Sequence, residues 1–195
     1  MSGVRCFVAL ELPDETVAAL TAAGAAIRDR AVEWRNEKWV AEENLHITLK
    51  FLGLVPDERV ASLVDALEGA VADRRAFALR LAGARCVPSR GRCSMVWATF
   101  HDAADDSCAR LARGVDSAVA GFAEPETRPF KPHVTLVRAR KPHRLDPEAL
   151  EAANEALACP DAFVSVLSAT LFSSTLTRRG PIYERIARWE FDPDG

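Results

Sequence analysis

Apolar and polar residues alternate along 45–51, where Leu45, Ile47, Leu49 and Phe51 interleave with His46, Thr48 and Lys50. A period of two marks a strand with one buried and one polar face, and it sets His46, Thr48 and Lys50 side by side. The pattern returns at 131–137, where Val134 and Leu136 fall on one face and His133 and Thr135 on the other. Two His-x-Thr strands of this kind can present imidazole and hydroxyl groups into one cleft.

The rest of the chain alternates between the two periods. Residues 4–12 form an apolar run that predicts a first, central strand, closed by Pro13-Asp14. Val17, Leu20, Ala23 and Ile27 then recur at helical spacing, predicting a helix over 14–33 with Asp14 as its N-cap and Gly24 as its weak point. Val60, Leu63, Val64 and Leu67 predict a second helix over 56–72, with its acids near the start, where the helix dipole favours them. Alternation at 77–82 and 94–100, around Pro88-Ser89-Arg90-Gly91, predicts a hairpin with a long loop. A third helix is expected over 102–121, with Leu111, Val115 and Val119 inside and Asp102, Asp105 and Asp106 as an exposed acidic start. A proline-held loop, 124–132, leads into the second His-x-Thr strand, and Pro132 is tolerated at the strand's beginning. A short helix over 147–158 and a closing hairpin of strands at 163–172 and 181–189, turning at Arg178-Arg179-Gly180, complete the chain, with a frayed tail over 192–195. The order βαβαββαβαββ favours an α+β fold of mostly antiparallel sheet over a doubly wound parallel one. With the doubled strand, it predicts one domain over 1–195 built as two facing lobes.

Composition narrows the function classes. In 195 residues there is no apolar tract long enough to cross a bilayer, and the N-terminus lacks the pattern of a signal peptide. Five scattered cysteines without a Cys-x-x-Cys pair read as reduced thiols, and the expected location is the cytoplasm. A net charge of −3 argues against a protein that coats long nucleic acid. Cations are nevertheless concentrated in two stretches free of acids. One, 127–145, carries Arg128, Lys131, Arg138, Arg140, Lys141 and Arg144 around His133; the other, 74–101, carries Arg74, Arg75, Arg80, Arg85, Arg90 and Arg92. The first points to a local anionic substrate.

Two imidazoles that titrate near neutrality can divide proton transfer, one accepting while the other donates, as phosphodiester cleavage requires. Thr48 and Thr135 can hydrogen-bond non-bridging phosphate oxygens from the same face, and Lys131 and Arg138 are the cations nearest His133 in sequence. Strand parity puts Arg138 on the face opposite His133, so its contact with a phosphate requires a bulge. Lys50 has the parity of His46 and is better placed. Phe51, Trp97, Phe130 and Tyr183 are candidates for stacking on a base. His101 and His143 stand outside any repeated pattern and read as surface residues. A zinc site on His46 and His133 would lack a third ligand at sensible spacing, so no metal or other cofactor is expected.

The chain resembles the 2H phosphoesterase superfamily, and within it the RNA 2′,3′-cyclic phosphodiesterases historically called 2′-5′ RNA ligases. The resemblance rests on Arg5-Cys6-Phe7-Val8-Ala9-Leu10, on Glu43-Asn44-Leu45-His46-Ile47-Thr48-Leu49-Lys50-Phe51-Leu52-Gly53, and on Val96-Trp97-Ala98. It extends through Arg128-Pro129-Phe130-Lys131-Pro132-His133-Val134-Thr135-Leu136-Val137-Arg138 and Leu171-Phe172-Ser173-Ser174-Thr175-Leu176 to Gly180-Pro181-Ile182-Tyr183-Glu184. It implies a cleft between two pseudo-symmetric lobes and metal-free hydrolysis of RNA 2′,3′-cyclic phosphate ends to 2′-phosphates. His46 would be the proton donor and His133 the proton acceptor. Joining or reversal of 2′-5′ linkages is implied as a secondary activity. The alternatives are a module that binds RNA ends or nucleotides without turnover, and a sister 2H enzyme acting on another cyclic nucleotide phosphate. RNA ends or small cyclic nucleotides are the expected partners, with no membrane and a monomer as the default state.

Overall fold

The computed structural model describes residues 2–72, 74–158, 163–178 and 180–193. Nine strands and four α-helices succeed one another among them: β1 (Gly3–Leu10), α1 (Asp14–Arg30), β2 (Lys38–Trp39), β3 (Ile47–Pro56), α2 (Val60–Val71), β4 (Phe77–Val87), β5 (Cys93–His101), α3 (Ser107–Ala118), β6 (His133–His143), α4 (Pro147–Leu157), β7 (Phe163–Val166), β8 (Ser168–Thr177) and β9 (Gly180–Glu190). They form two antiparallel sheets, of order β3-β1-β8-β9 and β2-β6-β5-β4-β7. Each sheet carries one His-x-Thr segment, and β3 and β6 approach one another. The expected α+β architecture of two antiparallel lobes with outer helices is the one observed. None of the described helices is long and apolar enough to cross a membrane.

The helices cover one face of each sheet. Helices α1 and α4 pack together, with α1 against β6 and α4 against β4, whereas α2 and α3 pair beside the first sheet. Gly24, the weak point of α1, lies under the Trp39 indole: a Cβ there would come within 3.2 Å of the ring, so the glycine permits the close approach of β2. Pro13 precedes α1 without a side-chain cap, so Asp14 is its first residue rather than the N-cap. Helix α3 begins at Ser107, later than its acids predict. Asp102, placed before the helix, accepts from the N–H groups of Cys108 and Ala109, and so acts as a cap rather than an exposed acid.

The predicted strand at 163–172 is two strands in different sheets. Chain direction is kept, but β7 is the edge of one sheet and β8 an inner strand of the other, with Leu167 alone between them. A second tie joins the sheets where β4 begins: the Ala76 N–H donates to the Asp192 carbonyl and the Asp192 N–H to the Arg74 carbonyl. The predicted hairpin turn includes Arg179, and the predicted tail includes 194–195; these lie outside the described residues.

Candidate active site

Local backbone geometry builds both histidine sites in the same way. His46 immediately precedes β3, and its Nδ1–H donates to the Asn44 carbonyl at 2.8 Å. His133 opens β6, and its Nδ1–H donates to the Lys131 carbonyl, also at 2.8 Å. A carbonyl can only accept, so in each ring Nδ1 carries the proton and Nε2 is the nitrogen available for chemistry. His46 Nε2 lies 3.0 Å from Thr48 Oγ1. Thr135 is half-buried and pairs with Trp97 across β6 and β5, on the same side as His133.

Just past each motif the strand carries a bulge at the same offset. Thr48 pairs with Ala9 and Lys50 with Val8, leaving Leu49 as an extra residue in β3. Thr135 pairs with Trp97 and Val137 with Val96, leaving Leu136 extra in β6. An extra residue reverses the alternation beyond it. Residues five past each histidine, Phe51 and Arg138, therefore face the site, and those four past, Lys50 and Val137, turn inward. Arg138 thus has the bulge that its contact required. It donates to Met95 Sδ, and its charge acts on both His133 and Tyr183.

Lys50 departs from the parity expectation for the same reason. Its ammonium is buried, ion-paired with Asp116 of α3 and donating to the Glu124 carbonyl, so it joins sheet to helix instead of lining the site. Lys131 stands exposed beside His133, whose orientation depends on the Lys131 carbonyl and not on its side chain. His143 is half-buried rather than a surface residue: it is hydrogen-bonded to Glu37 at 2.8 Å and meets the Trp34 ring edge-on, tying β6 to the 32–34 turn. His101 is exposed, as expected. Of the stacking candidates, Phe130 is half-buried and packs against the core, while Phe51, Trp97 and Tyr183 surround the histidines.

The two rings sit in different surroundings. His46 lies in an aromatic box, 4.9 Å from the Phe7 ring and 5.5 Å from Tyr183, and Phe7 in turn stacks on Phe172 at 5.3 Å. Phe51 continues this surface with 65% of its area exposed. His133 lies flat on Trp97 with centroids 3.8 Å apart, and the Arg85 guanidinium covers the same indole at 5.8 Å. Arg85 was visible in sequence only as one cation of a run; its place follows from its register opposite Trp97. The Trp97 Nε1–H is buried without a partner.

Both histidines are held below the usual imidazole pKa. For His46 burial is the main cause, opposed by its bond to the Asn44 carbonyl and aided by the charge of His133. That influence of His133 on His46 places both rings within one electrostatic site. For His133 burial again leads, its bond to the Lys131 carbonyl opposes, and Arg138 and Arg85 push further down. Among the described residues no cluster of three or more His, Cys, Asp or Glu side chains is positioned to hold a metal ion.

Comparison with known proteins places this geometry. The model of the LigT-like phosphoesterases matches residues 10–97 and 101–183. The chain belongs to that family. A relative from Thermus thermophilus, named RNA 2′,3′-cyclic phosphodiesterase, is 34% identical over 92% of this chain and 86% of its own length. Another of that name from Geobacillus stearothermophilus is 33% identical over 80% of this chain, which spans only 49% of that longer protein. Among solved structures, TT0787 of Thermus thermophilus superposes with a TM-score of 0.79 at 28% identity, covering 98% of this chain and 100% of that one. Escherichia coli LigT complexed with 3′-AMP gives 0.72 at 26% identity, covering 98% and 99%. The LigT-like fold is therefore matched along nearly the whole chain.

Proposed function

We propose that this protein hydrolyses RNA 2′,3′-cyclic phosphate ends to 2′-phosphates, with His133 as base and His46 as acid. The observation that carries the reading is the matched pair of histidines, each fixed through Nδ1 so that Nε2 is available. In the proposed reaction, His133 Nε2 takes a proton from water as the water oxygen bonds to phosphorus. The bond from phosphorus to the 3′ oxygen breaks, and His46 passes its Nε2 proton to that oxygen. A 2′-phosphate and a free 3′ hydroxyl result, and the proton on His133 returns to solvent while His46 regains one.

The electrostatics support this assignment of roles. Burial, and after it the charges of Arg138 and Arg85, lower the His133 pKa and so favour the neutral form that a base needs. At His46 burial and the His133 charge oppose the protonated form, the bond to the Asn44 carbonyl favours it, and a bound phosphodiester anion would favour it further. Thr48 holds the acidic proton until the leaving oxygen competes for it. Thr135 and Arg138 are the groups we assign to the non-bridging phosphate oxygens, with Lys131 adding positive potential at the rim. The proposed proton transfers use only these side chains, so the reaction is metal-free. Joining of 2′-5′ linkages is the same exchange with a ribose hydroxyl in place of water.

The test is incubation of the purified protein in excess EDTA with a short RNA ending in a 2′,3′-cyclic phosphate, with the product's phosphate position read by NMR or selective phosphatase digestion. A 2′-phosphate is expected. A 3′-phosphate, or loss of turnover restored only by a divalent ion, overturns the mechanism.

A further inference from the structure

The second run of arginines remains outside the site described above, apart from Arg85. Arg74, Arg75 and Arg80 line a groove of about 870 Å³ together with Arg110, Ser107 and Phe163, between the start of β4, the edge strand β7 and the first turn of α3. Its two acids are committed: Asp102 caps α3, and Asp105 pairs with Arg110 and Ser107. Arg74 donates to the Ala70 carbonyl. Arg75 and Arg80 are exposed, and among the described residues neither pairs with a carboxylate. Phe163, on the edge strand β7, has 62% of its surface open.

Strand register connects this groove to the catalytic face. His133 pairs with Thr99; two residues along β5, His101 pairs with Arg80; and Arg80 pairs with Phe163 across β4 and β7. Directly paired residues, and residues two apart on one strand, share a face. His133, Thr99, His101, Arg80 and Phe163 therefore lie on one side of the sheet, and the buried Val134, Ala98, Phe100, Leu79 and Val164 on the other. With strands about 4.8 Å apart and about 3.4 Å per residue, Arg80 lies roughly 12 Å and Phe163 roughly 16 Å from His133.

We propose that this face is the track of the RNA strand on the 5′ side of the terminal phosphate, with Arg75 and Arg80 pairing with its upstream phosphates and Phe163 stacking on an upstream base. The proposal rests on the RNA-end reading above and adds a substrate length to it. The span suits about two or three nucleotides, and a cationic groove with an exposed aromatic ring is the combination that binds single strands without sequence preference. The other route from His133, along β6, is less suited: Arg140 at that end is bonded to the Asn36 carbonyl and lies beside Glu37.

Two assays on the full chain test the track. In the first, fluorescence anisotropy follows binding of a labelled hexaribonucleotide ending in a 2′-phosphate. In the second, turnover is measured on a mononucleoside 2′,3′-cyclic phosphate, which is too short to reach the groove. For the double variant Arg75→Ala/Arg80→Ala, hexamer affinity is expected to fall about tenfold, and the slope of log affinity against log salt to shrink by about 1.4, the value for two phosphate contacts on a single strand. Phe163→Ala is expected to cost about fivefold with the salt slope unchanged, because stacking releases no counterions. Mononucleotide turnover should stay within twofold in both. Unchanged hexamer affinity in both variants, or equal losses on hexamer and mononucleotide, overturns the track. The binding assay decides this whether or not the wild-type protein turns over. Absence of mononucleotide turnover in the wild type instead counts against the hydrolytic reading alone.

Discussion

The two histidine segments share a backbone design and differ in everything that surrounds it. Each ring is anchored through Nδ1 to the carbonyl two residues earlier, and each strand bulges three residues after its histidine. The position five residues on, however, is the apolar Phe51 in one half and the cationic Arg138 in the other. One ring stands in a box of Phe7 and Tyr183; the other lies on Trp97 under the field of Arg85 and Arg138. A repeated scaffold thus fixes the shape of a symmetric site, and in the reaction we propose its non-repeated neighbours divide the proton chemistry between the halves.

The comparison breaks first at the rings themselves. His46→Ala and His133→Ala are each expected to lower kcat about 10²–10⁴-fold with little change in thermal unfolding, and near-full activity in either variant would end the two-histidine account. Next in size is Arg138→Gln, which in the proposed reaction removes a charged phosphate donor worth about 1.5–3 kcal/mol and should cost roughly 10–100-fold in kcat/KM. Because Arg138 holds the His133 pKa down, its removal raises that pKa, and the acidic limb of the pH–rate profile should move to higher pH. An unmoved limb would mean that His133 is not the base. Phe51→Arg makes the first half resemble the second. Placing a cation near His46 disfavours the protonated acid, so kcat should fall about threefold to tenfold and the alkaline limb should move to lower pH.

Stability should respond to different residues from those that control turnover. Lys50→Met leaves Asp116 without its cation and is expected to cost about 2 kcal/mol in chemical denaturation with kcat/KM nearly unchanged; the reverse pattern would return Lys50 to the site. The smallest effect is in pH. Both histidines have folded pKa values below the unfolded one of about 6.5, so the unfolded chain binds more protons as pH falls through that value. Wild-type stability should therefore decrease from about pH 7 toward pH 5, and His46→Gln should flatten that slope. Glu37 and Asp116, whose pKa values are lowered, contribute stability above about pH 4.5 that is lost only below it, which separates the two windows.

Much of this was legible in the chain because it depends on local periods. The alternation around His46 and His133 specifies strands, and the doubled motif specifies two of them with the same polar side. Period alone could not show that Leu49 and Leu136 are extra residues, since both are apolar and a bulge between two buried leucine and lysine or valine positions leaves no mark in composition. That one-residue offset sent Lys50 inward and brought Arg138 round. The break at Leu167 was equally hidden, because an apolar run reads as one strand whether or not its two halves join different sheets. Asp102 placed the start of α3 five residues too early, because its role as a cap depends on an approach to Ser107 that sequence spacing does not specify. Arg85 and His143 acquired partners only through tertiary register.

The passage of the chain from β7 to β8 through a single residue, together with the backbone bonds between Asp192 and the start of β4, makes the two sheets mechanically continuous. A wide opening would have to break those bonds or stretch a one-residue connection. In the reaction we propose, the gap between the two imidazoles is thus set at folding, and the entropy of bringing acid and base together is not spent again in each cycle. On that reading the slot that receives the RNA end is already formed before binding, and closure of one sheet on the other is not a step of turnover.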